Sequence, residues 1–212
     1  MDADFWHRKW AENDIGFHAG AANALLVKYF NAVCPKQNSR VFLPLCGKTL
    51  DIGWLLASGY RVVGAELSRL AIEQLFEELG VAPKISQSDK ALHYSAEAID
   101  IFVGDIFELS RDMLGRVDAI YDRAALVALP EAMRTRYTAH LMQITSSAPQ
   151  LLITFEYDQS LQAGPPFSIS GAEVERHYGG HYQLTLAESQ QVPGGLKGKC
   201  AATENAWLLQ KA

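Results

Sequence analysis

The residues with chemistry to offer stand at the ends of short apolar runs. Leu45-Cys46-Gly47 follows "VFLP", Glu66 follows "YRVVGA", Asp105 follows "IDIFVG", and Asp122-Arg123 closes "VDAIYDR". If each run is a strand of one parallel sheet, three acids and one base arrive together at its carboxyl edge, where open sheets of this kind collect ligands. Gly47-Lys48-Thr49 has the closing triplet of a phosphate-binding loop. Such a loop needs another glycine five places upstream, and that position is Phe42.

The GxGxxG nest of a dinucleotide site is missing as well, which argues against a nicotinamide-dependent oxidoreductase. Glu66 stands 19 residues after Gly47 (66 − 47). That is close to the separation at which an acid accepts hydrogen bonds from both hydroxyls of an adenosine ribose. The plainer alternative is an ion pair with Arg69. A single glycine suits S-adenosylmethionine, which carries no phosphate and asks only that backbone pass close to a sulfonium and an amino acid. Lys48 and Thr49 are then ordinary helix-start residues.

The elements that must position these residues alternate. An N-terminal helical segment precedes the loop "NDIGFHAG", and Leu25, Leu26, Tyr29 and Phe30 recur at helical spacing before Pro35. "RVFLPL", "YRVVGAE", "IDIFVGD", "VDAIYDR" and "QLLITFEY" read as five strands separated by helices. Ser68 is placed to cap one helix and Gly80 to stop it. Another helix begins about Pro130, and Ser170 and Glu173 have capping-box spacing. "HYQLTLAESQQV" and "TENAWLLQK" then follow without a helix between them, which predicts an antiparallel hairpin joined by "PGGLKGKCAA". The expected fold is α/β: a doubly wound, seven-stranded, mostly parallel sheet ending in that hairpin.

Composition bounds the function classes. With 212 residues, 49% of them hydrophobic and 20% charged, the chain can bury one core and is expected to form a single domain over residues 1–212. A formal net charge of -5 without a basic run excludes the usual nucleic-acid footprint. Three cysteines without paired spacing suit free thiols in a reducing compartment. No apolar leader or run of about 18 apolar residues is present, so we expect a cytoplasmic chain with no membrane partner. His177 and His181 are separated by Gly179-Gly180, and no metal is expected there. Cys46 reads either as a thiol activated at a helix start or as core packing.

The blocks "FWHRKW", "GFH", "VFLPLCGKTLDIGWL", "VVGAELS", "YDRAALVAL" and "GPPFSIS", in order from Phe5 to Ile169, resemble the thiopurine S-methyltransferase family of class I methyltransferases. The resemblance implies S-adenosylmethionine as cofactor and a small aromatic or heterocyclic thiol as acceptor, with selenium or tellurium species as further acceptors. It places Trp10 over the cofactor, within a helical cover formed by residues 1–39. It sets Leu45 and Gly47 against the methionine portion, Glu66 on the ribose, Asp105 and Ile106 beside the adenine, and Arg123 along the pocket. Phe17, Arg123, Pro166 and Phe167 are the implied acceptor contacts. Trp10 could equally belong to an apolar helix face with Phe5 and Trp6. Arg123 cannot reach the adjacent Asp122 on an extended chain, because neighbouring side chains point to opposite faces, so it needs another partner. No general base is legible, and an acidic heteroaromatic thiol demands none. We expect a monomer. A non-enzymatic adenosine-ligand binder and a methyltransferase acting on some other small molecule are the competing readings.

Overall fold

The computed structural model describes residues 3–15, 20–88 and 90–211. A nine-stranded sheet runs through the molecule in the order β3-β4-β5-β2-β1-β6-β7-β9-β8. Its parallel centre comprises β1 (Arg40–Pro44), β2 (Arg61–Glu66), β5 (Ile99–Val103), β6 (Ala119–Arg123) and the first half of β7 (Gln150–Tyr157). These are the five strands expected from the sequence. The hairpin β8 (Tyr182–Gln191) and β9 (Ala202–Lys211) adds to β7 antiparallel, also as expected.

Two strands lie beyond that expectation and raise the count from seven to nine. They are β3 (Lys84–Gln87) and β4 (Leu92–Ala96), antiparallel to one another, with β4 antiparallel to β5. All four residues of β3 are exposed and β4 buries Tyr94 alone. β3 carries no alternating apolar pattern, while β4 alternates over only five residues, with Leu92, Tyr94 and Ala96 turned to the core.

Each central strand feeds two cores because successive side chains point to opposite faces. Val41, Leu43, Val62, Ile101 and Tyr121 pack on one side with residues of α2 (Ala24–Val33), α3 (Leu50–Ala57) and α4 (Arg69–Leu79). Phe42, Val63, Phe102 and Ile120 pack on the other with α5 (Arg111–Leu114), α6 (Glu131–Thr145) and α7 (Gly171–Tyr178). The remaining helix, α1 (Ala3–Ala11), lies against α4.

Local signals set the helix ends. Ser68 accepts the Ala71 N–H, and Gly80 closes α4 at φ 65°. Thr49 accepts the Asp51 N–H at the start of α3. The Ser170–Glu173 box is only half formed: Ser170 caps the Glu173 N–H, but the Glu173 carboxylate turns to Arg134 at 2.7 Å. The order of strands reverses at β1, which has β2 on one side and β6 on the other. A cleft at the carboxyl ends of β1, β2, β5 and β6 follows from that reversal.

Candidate active site

The loop after β1 sets the geometry. Leu45 and Gly47 both adopt positive φ, 49° and 53°, and fold the chain back so that the Gly47 N–H meets the end of β2. There Glu66 accepts the Gly47 N–H at 2.8 Å on one oxygen and the Ser68 N–H at 2.8 Å on the other. Its ion pair with Arg69 does not form, because Arg69 turns to Glu73 at 2.8 Å. Burial raises the Glu66 pKa above its ordinary value, opposed by the amides of Ser68, Gly47 and Leu67. Each carboxylate oxygen keeps a second lone pair, so the group can still accept from a ligand.

Gly47 is required for a second reason. A Cβ on it would lie 2.9 Å from Cζ2 of the buried Trp10 ring. The Trp10 ring of α1 therefore lies on the loop after β1, while Phe5 and Trp6 of the same helix pack edge to face. Lys48 points away, donating to Glu78 at 2.6 Å. Cys46 is buried, and its thiol pKa is pushed well up by burial and by Glu66, so it is a packing residue rather than an activated thiol.

Beyond Glu66, Ala65 and Phe102 form a narrow slot with Asp105, Ile106 and Leu109, closed on its other side by Lys90, Ala91 and Gly104 and enclosing about 10 Å³. That is roughly the minimum a single water requires. Asp105 caps the turn Ile106–Glu108 by accepting the Phe107 N–H at 3.0 Å. Two residues one turn apart on α6 hold the same turn from outside. The Nε2–H of His140 donates to the Ile106 carbonyl at 2.9 Å, and the Arg136 guanidinium lies 3.9 Å from the Phe107 ring centre. Neither residue is signalled by a motif, since a lone His on a helix reads as a surface residue.

At the end of β6 the adjacent residues part, as alternation demands. Asp122 is fully buried, accepting the Tyr137 hydroxyl at 2.7 Å and the Leu126 N–H at 3.2 Å. Burial pushes its pKa up to about 6. Arg123 turns to the other face and finds the separate partner it needs, Asp51 of α3, at 3.4 Å. Asp51 is buried and also accepts the Tyr121 hydroxyl at 3.0 Å and the Asn23 N–H at 2.7 Å. Sequence reasoning missed Asp51 because an acid two places after a helix cap reads as an ordinary helix-dipole residue.

Among the expected acceptor contacts, Phe17 lies outside the described residues. Phe167 is half-buried, with its N–H donating to the Val127 carbonyl at 2.6 Å and its ring beside Gly164 and 5.3 Å from the Arg134 guanidinium. Pro166 accepts the Tyr157 hydroxyl through its carbonyl at 2.6 Å. Lys197 of the β8–β9 loop donates to the neighbouring Pro165 carbonyl at 2.8 Å. His177 pairs with Glu173 at 3.3 Å, and no group of potential metal ligands occurs among the described residues. None of the described helices is long and apolar enough to cross a membrane.

These residues fit a nucleoside that bears no phosphate. The acceptor-only Glu66 matches paired hydroxyls, Ala65, Phe102 and Ile106 give the neighbouring recess an apolar lining, and the one lysine of the loop is committed elsewhere. At about 10 Å³ the slot is smaller than a purine.

The family model described as thiopurine S-methyltransferase matches residues 1–211. The chain is 55% identical over 213 residues to a thiopurine S-methyltransferase of Xanthobacter autotrophicus, covering 100% of both chains. It is 51% identical over 211 residues to that of Teredinibacter turnerae, covering 100% of this chain and 98% of that one. Similar solved structures include the 1,6-didemethyltoxoflavin-N1-methyltransferase of Burkholderia thailandensis with S-adenosylhomocysteine bound (TM-score 0.67, 16% identity, 99% and 87% of the two chains). A TehB-like S-adenosylmethionine-dependent methyltransferase of Corynebacterium glutamicum is also similar (TM-score 0.59, 12% identity, 99% and 98%). At these identities the structural likeness carries the fold.

Proposed function

The chain belongs to the thiopurine S-methyltransferase family, and from that membership we propose that its cleft methylates the sulfur of small aromatic and heterocyclic thiols, thiopurines among them. It is an S-adenosylmethionine-dependent methyltransferase. The bound cofactor supplies an electrophilic methyl group on a sulfonium. The observation that carries the site assignment is the buried Glu66 carboxylate, fixed by the Gly47 and Ser68 amides with lone pairs left for two ribose hydroxyls.

On this reading Leu45 and Gly47 face the methionine portion, Asp105 and Ile106 border the adenine, and Trp10 closes the cleft from above. Arg123 orients an ionised acceptor sulfur, beside apolar walls from Phe17, Pro166 and Phe167. Positioning supplies much of the rate in such a displacement. A heteroaromatic thiol is acidic enough to arrive as thiolate, and the acids around the cleft support this by being otherwise engaged: Glu66 with two amides, Asp51 with three donors, Asp105 with the Phe107 amide, Asp122 with Tyr137.

The domain organisation follows the same reading: one domain, residues 1–212, with residues 1–39 as an N-terminal cover in which α1 bears on the cleft while α2 packs against the sheet. The packing of Trp10 on Gly47 supports it. We also propose a monomeric, cytoplasmic enzyme with no nucleic-acid partner. The decisive experiment is transfer of label from methyl-labelled S-adenosylmethionine to a thiopurine and to a thiophenol. Label on sulfur is expected. Binding of S-adenosylhomocysteine without transfer to any aromatic thiol would defeat the acceptor assignment, and parallel incubation with inorganic selenium species tests the wider acceptor range.

A further inference from the structure

Asp51 is the most heavily engaged acid near the cleft, and no step of the reaction uses it. Its side chain is 1% exposed and Arg123's is 17% exposed. One oxygen accepts the Asn23 N–H at 2.7 Å; the other is shared between the Tyr121 hydroxyl at 3.0 Å and Arg123 Nη1 at 3.4 Å. Arg123 also reaches the Thr49 hydroxyl at 3.5 Å. The two Arg123 contacts are too long to be strong hydrogen bonds, so the link to Asp51 is mainly charge against charge in a poorly solvated site. Tyr121 stays a donor, because burial and the neighbouring Asp51 push its phenol well above its ordinary pKa.

Among the described residues, Glu204 of β9 also lies close to this set and accepts the Asn23 side-chain amide at 3.1 Å. Asp122 points to the opposite face and contributes nothing here. Asn23 also caps α2, accepting the Leu25 N–H at 2.8 Å. Asp51 therefore ties the start of α2, the end of β6 and the start of α3 together at the arginine.

We propose that Asp51 is a specificity-determining positioning residue: it fixes how much positive charge Arg123 presents to the acceptor and thereby limits the preference of the site for anionic thiols. This rests on the reading that Arg123 faces the acceptor. With the Asp51 carboxylate beside it, Arg123 offers directed N–H groups with much of its charge compensated. With an uncharged side chain in that place, the same arginine becomes an open anion site.

The test compares 4-mercaptobenzoate with 4-mercaptobenzamide as acceptors, reading the ratio of their kcat/KM values in each variant. Asp51→Asn keeps an acceptor for the Asn23 N–H and should raise the benzoate-to-benzamide ratio about fivefold, the effect of one poorly screened charge several ångströms away. Arg123→Gln should lower the ratio below wild type, and the double variant should show no rise. A merely structural Asp51 would lower both rates together and leave the ratio alone. A wild-type ratio in folded Asp51→Asn, while Arg123→Gln alters acceptor kinetics, overturns the inference and leaves the acceptor role of Arg123 standing. Unchanged kinetics for both acceptors in Arg123→Gln would remove Arg123 from the acceptor and the inference with it. Should Asp51→Asn fail to fold, Tyr121→Phe removes the competing donor, draws Asp51 onto Arg123 and should lower the ratio. An unchanged ratio in folded Tyr121→Phe overturns the inference equally.

Discussion

The carboxylate of Glu66 accepts the Gly47 N–H at 2.8 Å, so the acid at the end of β2 holds the loop at the end of β1. Its second oxygen does the same for Ser68 at the start of α4. One buried side chain thus serves both the shape of the cleft and the ribose acceptor assigned to it.

That double duty makes Glu66→Gln more costly than its isosteric shape suggests. The amide nitrogen cannot accept, so one of the two backbone N–H groups loses its partner in a buried place, at about 1–3 kcal/mol. We expect a lower Tm together with weaker S-adenosylhomocysteine binding. A calorimetric affinity equal to wild type in folded Glu66→Gln or Glu66→Ala would take Glu66 out of the site.

Gly47→Ala should separate strain from contact. At φ 53° an added Cβ is disfavoured by about 1 kcal/mol or more. It would also stand 2.9 Å from Trp10. The variant should bind S-adenosylhomocysteine poorly, and Trp10→Ala added to it should cost less than it costs alone. Strict additivity in the double variant would show that Trp10 does not bear on Gly47 in solution.

His140→Ala should weaken S-adenosylhomocysteine about three- to tenfold, the worth of one hydrogen bond to the turn bordering the adenine. His140→Gln, whose amide N–H can reach the Ile106 carbonyl, should recover most of it. Failure of glutamine to rescue a folded alanine variant would assign the loss to packing against Phe107.

Asp122 gives the stability curve a definite sign. Its folded pKa is raised to about 6 from 3.8. The folded state therefore holds the proton more tightly, and the resulting stabilisation is fully present below 3.8 and lost as pH rises through about 6. Between pH 7 and pH 5 the wild type should gain about 1 kcal/mol, or roughly 2–4 °C in Tm, relative to Asp122→Asn. Parallel Tm curves for the two proteins would show that Asp122 does not titrate there.

The acid limb of kcat/KM should track the acceptor rather than the enzyme. Across a series of substituted thiophenols the limb is expected to move with the thiol pKa. A limb fixed across the series would point to an ionising group on the protein, and Glu66 would be the first to substitute.

Much of this protein was legible in the chain, because the signals that carried it are local. Short, nearly continuous apolar runs ending in Gly47, Glu66, Asp105 and Arg123 name the strands and bring their ends to one edge. The caps at Ser68 and Thr49, and the missing helix before β9, needed only neighbouring residues to be read. Alternation alone required that Asp122 and Arg123 serve opposite faces. What folding decided was which distant groups meet. β3 escaped notice because its pairing, rather than an apolar face, makes it a strand, and the apolar face of β4 is only three residues long, Leu92, Tyr94 and Ala96. Asp51 and Arg123 are 72 residues apart, as are many pairs that never touch; their meeting depends on β1 lying beside β6. His140 reaches Ile106 across 34 residues of chain for the same kind of reason. Sequence spacing specifies elements through short-range sterics and hydrogen bonding. The partners of a buried charge are set by packing, where desolvation compels each such group to take whatever donor the fold brings within reach.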